Sequence, residues 1–122
     1  MIGYVTLGSN DLPRAAAFYD ALLGEIGAKR IMEGDSFIAW GVGPDKPGMG
    51  VTKPFDSKPA TVGNGVMVAL AVDSTAQVDS LHRKAMQLGA KDEGAPGARG
   101  PGFYAGYFRD LDGNKLNFFF AG

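Results

Sequence analysis

The chain reads the same way twice, and that limits its fold more than any other feature. Gly27-Ala28-Lys29 recurs as Gly89-Ala90-Lys91 at an offset of 62, and Tyr4-Val5-Thr6-Leu7 lines up with Met67-Val68-Ala69-Leu70 at an offset of 63. A shared tripeptide alone carries little weight. One that closes a helix at a fixed distance from a matching strand points to an internal duplication. In the first half, residues 2–8 (IGYVTLG) are β-rich, Asn10 or Asp11 caps a helix, and Pro13 suits its first turn. Ala15, Phe18, Tyr19, Leu22, Leu23 and Ile26 form one apolar face at helical spacing, and Gly24 or Gly27 ends the helix. Short strands follow at 29–33, 36–42 and 49–55, with a hairpin turn at Glu33-Gly34-Asp35. The second half repeats this order. Residues 65–72 are a near-continuous apolar strand, and Ser74 with Gln77 forms a capping box. Val78, Leu81, Ala85 and Leu88 carry the helical stripe, and Gly89 closes it. Strands are expected at 91–93, 103–109 and 115–120, the last two joined by the turn Asp110-Leu111-Asp112-Gly113-Asn114.

Two such β-α-β-β-β modules make an α+β fold: a curved mixed sheet around a cleft, with the helices on the outer face. At 122 residues the chain is expected to be one domain, with modules at about 1–56 and 65–122 and a linker at about 57–64. A net charge of −1, with no basic run, argues against a nucleic-acid partner or an acidic membrane surface. The absence of Cys removes disulfides, thiolate metal sites and a Cys nucleophile, and fits a cytoplasmic protein. Met1 leads into a strand-like segment without a basic leader-like region, and no apolar run approaches the roughly 18 residues that span a bilayer. Residues 94–102 (GAPGARGPG) are expected to form a flexible loop at the cleft mouth, with Arg99 offering a charge.

Phe18-Tyr19-Asp20-Ala21-Leu22-Leu23-Gly24 resembles the FYxxLLG run in the first helix of the vicinal oxygen chelate superfamily, which includes glyoxalase I, extradiol dioxygenases and bleomycin and fosfomycin resistance proteins. Asp110-Leu111-Asp112-Gly113-Asn114 is similar to the DPDGN turn before that family's last strand, with Leu111 in place of Pro. The resemblance implies metal ligands at three positions, which here hold Tyr4, Met67 and Asn117. A catalytic divalent ion wants His nitrogen and carboxylate oxygen. A phenol, a thioether and a carboxamide are a poor set, so neither a metal nor another cofactor is expected. His82, the single histidine, falls mid-helix and reads as a surface or helix-flank residue on the side away from the cleft.

Strand alternation puts Tyr4 and Thr6 on the cleft side of the first strand, Met67 on that of the fifth, and Asn117 and Phe119 on that of the last. Pairing across the Asp110–Asn114 turn adds Phe103 and Tyr107, with Arg109 at the rim and Trp40 as a further candidate. Such a lining suits a small organic ligand with a flat or apolar part. The leading expectation is metal-independent binding of a small molecule, as in the drug-sequestering resistance proteins. The alternative is a glyoxalase- or dioxygenase-related enzyme (lyase, isomerase or dioxygenase) with an unconventional or metal-free site using Tyr4 or Tyr107 as acid or base. A third reading has the cleft filled by its own side chains. The resemblance also implies a homodimer.

Overall fold

A computed structural model describes residues 1–122. Local chemistry starts and stops its two helices. α1 (Leu12–Gly24) begins where Asp11 Oδ1 accepts a hydrogen bond from Arg14 N at 3.1 Å, with Pro13 in its first turn, where a missing N–H costs nothing. α2 (Thr75–Gln87) begins at Ser74, whose Oγ accepts from Gln77 N at 3.1 Å. Gln77 Oε1 in turn accepts from Asp73 N at 2.7 Å, one residue outside the usual reciprocal partner of a capping box. Gly27 and Gly89, from the matched tripeptides, have φ of +79° and +100°, a left-handed turn that glycine adopts without steric cost.

The strands are β1 (Tyr4–Gly8), β2 (Lys29–Glu33), β3 (Phe37–Gly41), β4 (Gly48–Thr52), β5 (Val68–Ala71), β6 (Lys91–Ala98), β7 (Phe103–Arg109) and β8 (Lys115–Ala121). They form two four-stranded sheets ordered β1-β4-β3-β2 and β5-β8-β7-β6, so the same topology occurs twice. In each, the first and last strands of the module pair in parallel and the remaining pairs are antiparallel. The fold is α+β with a doubled β-α-β-β-β order, as expected. The chain divides into two compact units, Met1–Val62 and Gly63–Gly122. Residues near 60 are tied into the first unit: Asn10 Nδ2 donates to Ala60 O at 3.1 Å, and Ala60 N donates to Asn10 Oδ1 at 2.7 Å.

Each unit buries one sheet face beneath its helix. In the first, Leu7, Ile38, Trp40 and Val51 meet Tyr19, Leu22 and Leu23, all under 8% exposed. In the second, Phe108 stacks on Phe118 at 5.6 Å under Val78, Leu81 and Ala85. Burying each such side chain is worth about 1.5–3 kcal/mol. Tyr104 Oη donates to Asp79 Oδ1 on α2 at 2.6 Å.

A second repeat lies in the polar contacts. Arg30 Nε and Nη2 donate to the two Asp20 oxygens at 2.9 and 2.6 Å, and Trp40 Nε1 donates to Asp20 Oδ1 at 2.8 Å. The offset of 62 carries Asp20 onto His82 and Arg30 onto Asp92. There His82 Nε2 lies 3.2 Å from Asp92 Oδ1 and 3.1 Å from Tyr107 O. Both partners are acceptors, so Nε2 carries the ring hydrogen. A helix-to-strand polar contact therefore stands at the same place in each module, with the charges changed.

Three expectations are corrected. His82 is buried, at 6% exposure, because Gly106 has no side chain and leaves room for the ring beneath α2. It does lie on the helix side. Trp40 faces α1, away from any cleft, because its indole follows Asp20. Residues 94–102 are mostly strand: β6 continues to Ala98, and the turn closes with Arg99 N donating to Phe103 O at 2.8 Å. The glycines read as loop formers instead make room for neighbours. A Cβ on Gly94 would lie 3.2 Å from the Tyr107 ring.

Arg30, through its hydrogen bonds, holds the Asp20 carboxyl below the usual carboxylate range. A carboxyl whose pKa is lower folded than unfolded stabilises the fold above the unfolded value, and that contribution fades as pH falls through the folded one. Asp20→Ala also leaves the buried Trp40 N–H unpaired, so it is expected to cost about 1–3 kcal/mol near neutral pH. Asp20→Asn is expected to flatten the acid-side loss of stability. Denaturant titrations followed by the single tryptophan, at several pH values, check both.

Candidate functional site

In the first unit, the sheet face away from α1 holds a hollow of about 610 Å³. Its floor is built by small residues. Gly48 stands opposite Tyr4, and Gly50 opposite both Thr6 and Ala39. Large side chains lie flat on that floor. A Cβ on Gly50 would come within 2.7 Å of the Phe37 ring, and one on Gly48 within 3.2 Å of Ile31 Cδ1. Tyr4, 67% exposed, meets Phe37 edge-on at 6.4 Å between ring centroids. Met32 and Lys46 also line it, with Gly3, Ala39, Gly43 and Pro44.

Two neighbouring residues, Ile31 and Met32, reach this face because β2 carries a bulge. The register passes from Arg30 opposite Trp40 to Met32 opposite Ala39, leaving Ile31 extra. In a regular strand Arg30 and Met32 would share a face. Here Arg30 turns to the helix while Met32 turns away from it. The second unit repeats the device: Asp92 stands opposite Phe108, Gly94 opposite Tyr107, and Glu93 is extra.

In the second unit, the face away from α2 carries Phe103 and Phe119, stacked at 5.4 Å. Tyr107 stands opposite Asn117, and Arg109 opposite Lys115. Arg109 Nε donates to Glu93 Oε1 at 2.5 Å, and this contact holds the Glu93 carboxyl below its ordinary range. Arg99 and Lys115 each place their charge 5.5 Å from the Tyr107 ring centre. Asn117 is 1% exposed, and its Oδ1 is a buried side-chain oxygen without a hydrogen-bond partner.

The donors at the positions of the family's metal ligands do not fit a catalytic divalent ion. Tyr4 offers a phenol, Met67 a thioether and Asn117 one amide oxygen. Nowhere in the chain do three His, Cys, Asp or Glu side chains converge.

A family model described as Glyoxalase/Bleomycin resistance protein/Dioxygenase superfamily matches residues 1–118. The chain belongs to this superfamily. A crystal structure of a glyoxalase/bleomycin resistance protein from Albidiferax ferrireducens is similar over 98% of this chain and 97% of that one, at 35% identity and a TM-score of 0.89. A hypothetical protein from S. aureus follows at 26% identity and 0.76, covering 97% and 91%. A lactoylglutathione lyase from Agrobacterium tumefaciens, 22% identical with a TM-score of 0.70 over 97% and 91%, shares the fold. No curated protein matches by sequence. No helix is long and apolar enough to cross a membrane.

Of the residues singled out in the sequence, Tyr4 and Thr6 lie together on the first unit's face, both exposed. Phe103, Tyr107, Arg109, Asn117 and Phe119 lie together on the second unit's face, and Met67, 39% exposed, precedes β5. The sequence reading did not include Ile31, Met32, Phe37 and Lys46. The alternating glycines of Gly48-Met49-Gly50 were the available signal, since a strand bare on one face invites large neighbours. In this superfamily member that bareness is structural: Gly50→Ala is expected to destabilise by about 1–3 kcal/mol. Gly3→Ala, whose Cβ would meet nothing within 4 Å, is expected to stay within about 0.5 kcal/mol of wild type. Thermal and chemical melts of the two variants make the comparison.

Proposed function

We propose that this chain binds a small organic molecule without a metal, seating its flat or apolar part in the hollow of the first unit. One observation carries the reading: a hollow of about 610 Å³ lined by Tyr4, Phe37, Ile31 and Met32, with Phe37 and Ile31 lying flat on glycines beneath it. That volume falls within the range of small-molecule sites, which are mostly apolar with a few placed polar groups. Here the Tyr4 hydroxyl and the Lys46 ammonium supply the polar part. Tyr4 and Thr6 in the first unit, and Met67, Phe103, Tyr107, Arg109, Asn117 and Phe119 in the second, are proposed ligand contacts, each on its own unit's face. The poor donor set at the family's ligand positions supports a binding role over metal-dependent lyase or dioxygenase chemistry. An exposed apolar set that includes Ile2, Val66 and Met67 supports the further reading of a homodimer.

A thermal-shift screen of flat aromatic compounds on chelator-treated protein is expected to give hits that raise the melting temperature. Tyr4→Ala, which removes an exposed wall of the hollow, is expected to reduce the shift sharply while leaving the unliganded melt in place. Hits that appear only after adding Zn, Ni, Mn or Fe would sink the metal-free reading. Light scattering behind size exclusion is expected to return twice the 12.8 kDa chain mass.

A further inference from the structure

We propose that the end of the first unit's sheet carries a second ligand site, which takes the phosphate monoester of a flat aromatic group. Lys53 and Lys58 bind the phosphate, and Phe55 stacks on the flat part. The site shares no lining residue with the hollow around Tyr4 and Phe37 and does not need it.

β1 and β4 run parallel and stop together, with Gly8 opposite Thr52. Beyond their C-terminal ends lies an open hollow of about 590 Å³, a volume in the range of small-molecule sites. Ser9 and Asn10 enter it from the end of β1, Ser36 from the start of β3, and its other residues end or follow β4. The chain leaving β4 is tied at both ends. Lys53 N donates to Ser36 O at 2.8 Å, and the Asn10 side chain holds Ala60 through both its N–H and its carbonyl. Gly8 leaves room for that tie, since a Cβ there would come within 2.9 Å of Ala60 Cβ. Between the ties, Ser57 N donates to Pro54 O at 3.0 Å, and Ser57 takes φ of +64°, uncommon for a residue with a side chain.

Charge and hydrogen bonding give this hollow its selectivity. Its lining holds two lysines and no carboxylate. Neither ammonium forms an ion pair. The acids next along the chain are turned to the backbone: Asp11 caps α1, and Asp56 Oδ1 accepts from Lys58 N at 2.9 Å. Two ammonium groups without a counter-charge match a dianion better than a monoanion, which favours a phosphate monoester over a carboxylate. Ser9 adds a fixed donor. It is 1% exposed, and its Oγ accepts from Asp11 N at 3.1 Å, which leaves its own hydrogen for a ligand oxygen. Phe55 lines the same hollow and is fully exposed. Its bare ring beside the lysines offers a face on which a flat group stacks.

Titrations of the full chain by NMR or calorimetry, at low and constant ionic strength, test this with four probes: phenyl phosphate, inorganic phosphate, benzoate and adenosine monophosphate. Phenyl phosphate is expected to bind about tenfold more tightly than inorganic phosphate, through stacking. It is expected to exceed benzoate by about tenfold as well, through its second charge. Lys53→Met and Lys58→Met are each expected to weaken it about tenfold. Phe55→Ala is expected to bring phenyl phosphate down to the affinity of inorganic phosphate and leave the latter unchanged. All three side chains are exposed, so these variants are expected to fold as wild type does. Adenosine monophosphate binding more tightly than phenyl phosphate marks a nucleotide site, and the reverse marks a site for smaller aryl phosphates. No binding of phenyl phosphate, equal binding of benzoate, or wild-type affinity in either lysine variant or in Phe55→Ala overturns the site. Tyr4→Ala is expected to leave phenyl phosphate binding intact, so the two sites fail separately.

Discussion

A bulge early in β2, and another early in β6, decides what the far face of each sheet presents. Arg30 and Met32 lie two apart in β2 yet point to opposite sides, because Ile31 is bulged between them. The polar contact with the helix is what pins that arrangement. Asp20 takes a forked pair of hydrogen bonds from Arg30 and another from Trp40, so Arg30 must face α1, and the following side chains turn the other way. His82 and Asp92 do the same in the second module, where the side turned away presents Glu93 and Gly94. The helix side of each unit thus sets the register of the opposite face.

The two far faces are then furnished differently. The first becomes a hollow, because Phe37 and Ile31 lie flat on glycines and leave space above them. The second becomes an aromatic and cationic surface, because Gly94 and Gly97 let Arg99 lie back on Tyr107 while Lys115 reaches the same ring. The superfamily's fold is kept while its metal-ligand positions hold Tyr4, Met67 and Asn117. Catalysis by a bound divalent ion depends on hard donors held together.

Much of this was legible in the residues. The doubled strand and helix order, the caps at Asp11 and Ser74 and the pairing across the Asp110–Asn114 turn follow from local spacing and turn chemistry, which act over a few residues. Alternation placed Tyr4 and Thr6 on one face, and Phe103, Tyr107, Asn117 and Phe119 on another, because a strand's side chains obey a period of two wherever it is regular. What escaped were the places where a distant partner overrides the local rule. The bulges at Ile31 and Glu93 break the period through contacts with helices ten residues away in sequence. His82 is buried because of Gly106, 24 positions further on. Glycines 94 and 97 look like a loop until Tyr107 and Ala105 pair with them. The sequence by itself determined which elements form and their order, since those depend on neighbours along the chain. Only the tertiary structure decided which side chains share a face at the bulges and which of them lack partners, since those depend on what lies across the sheet.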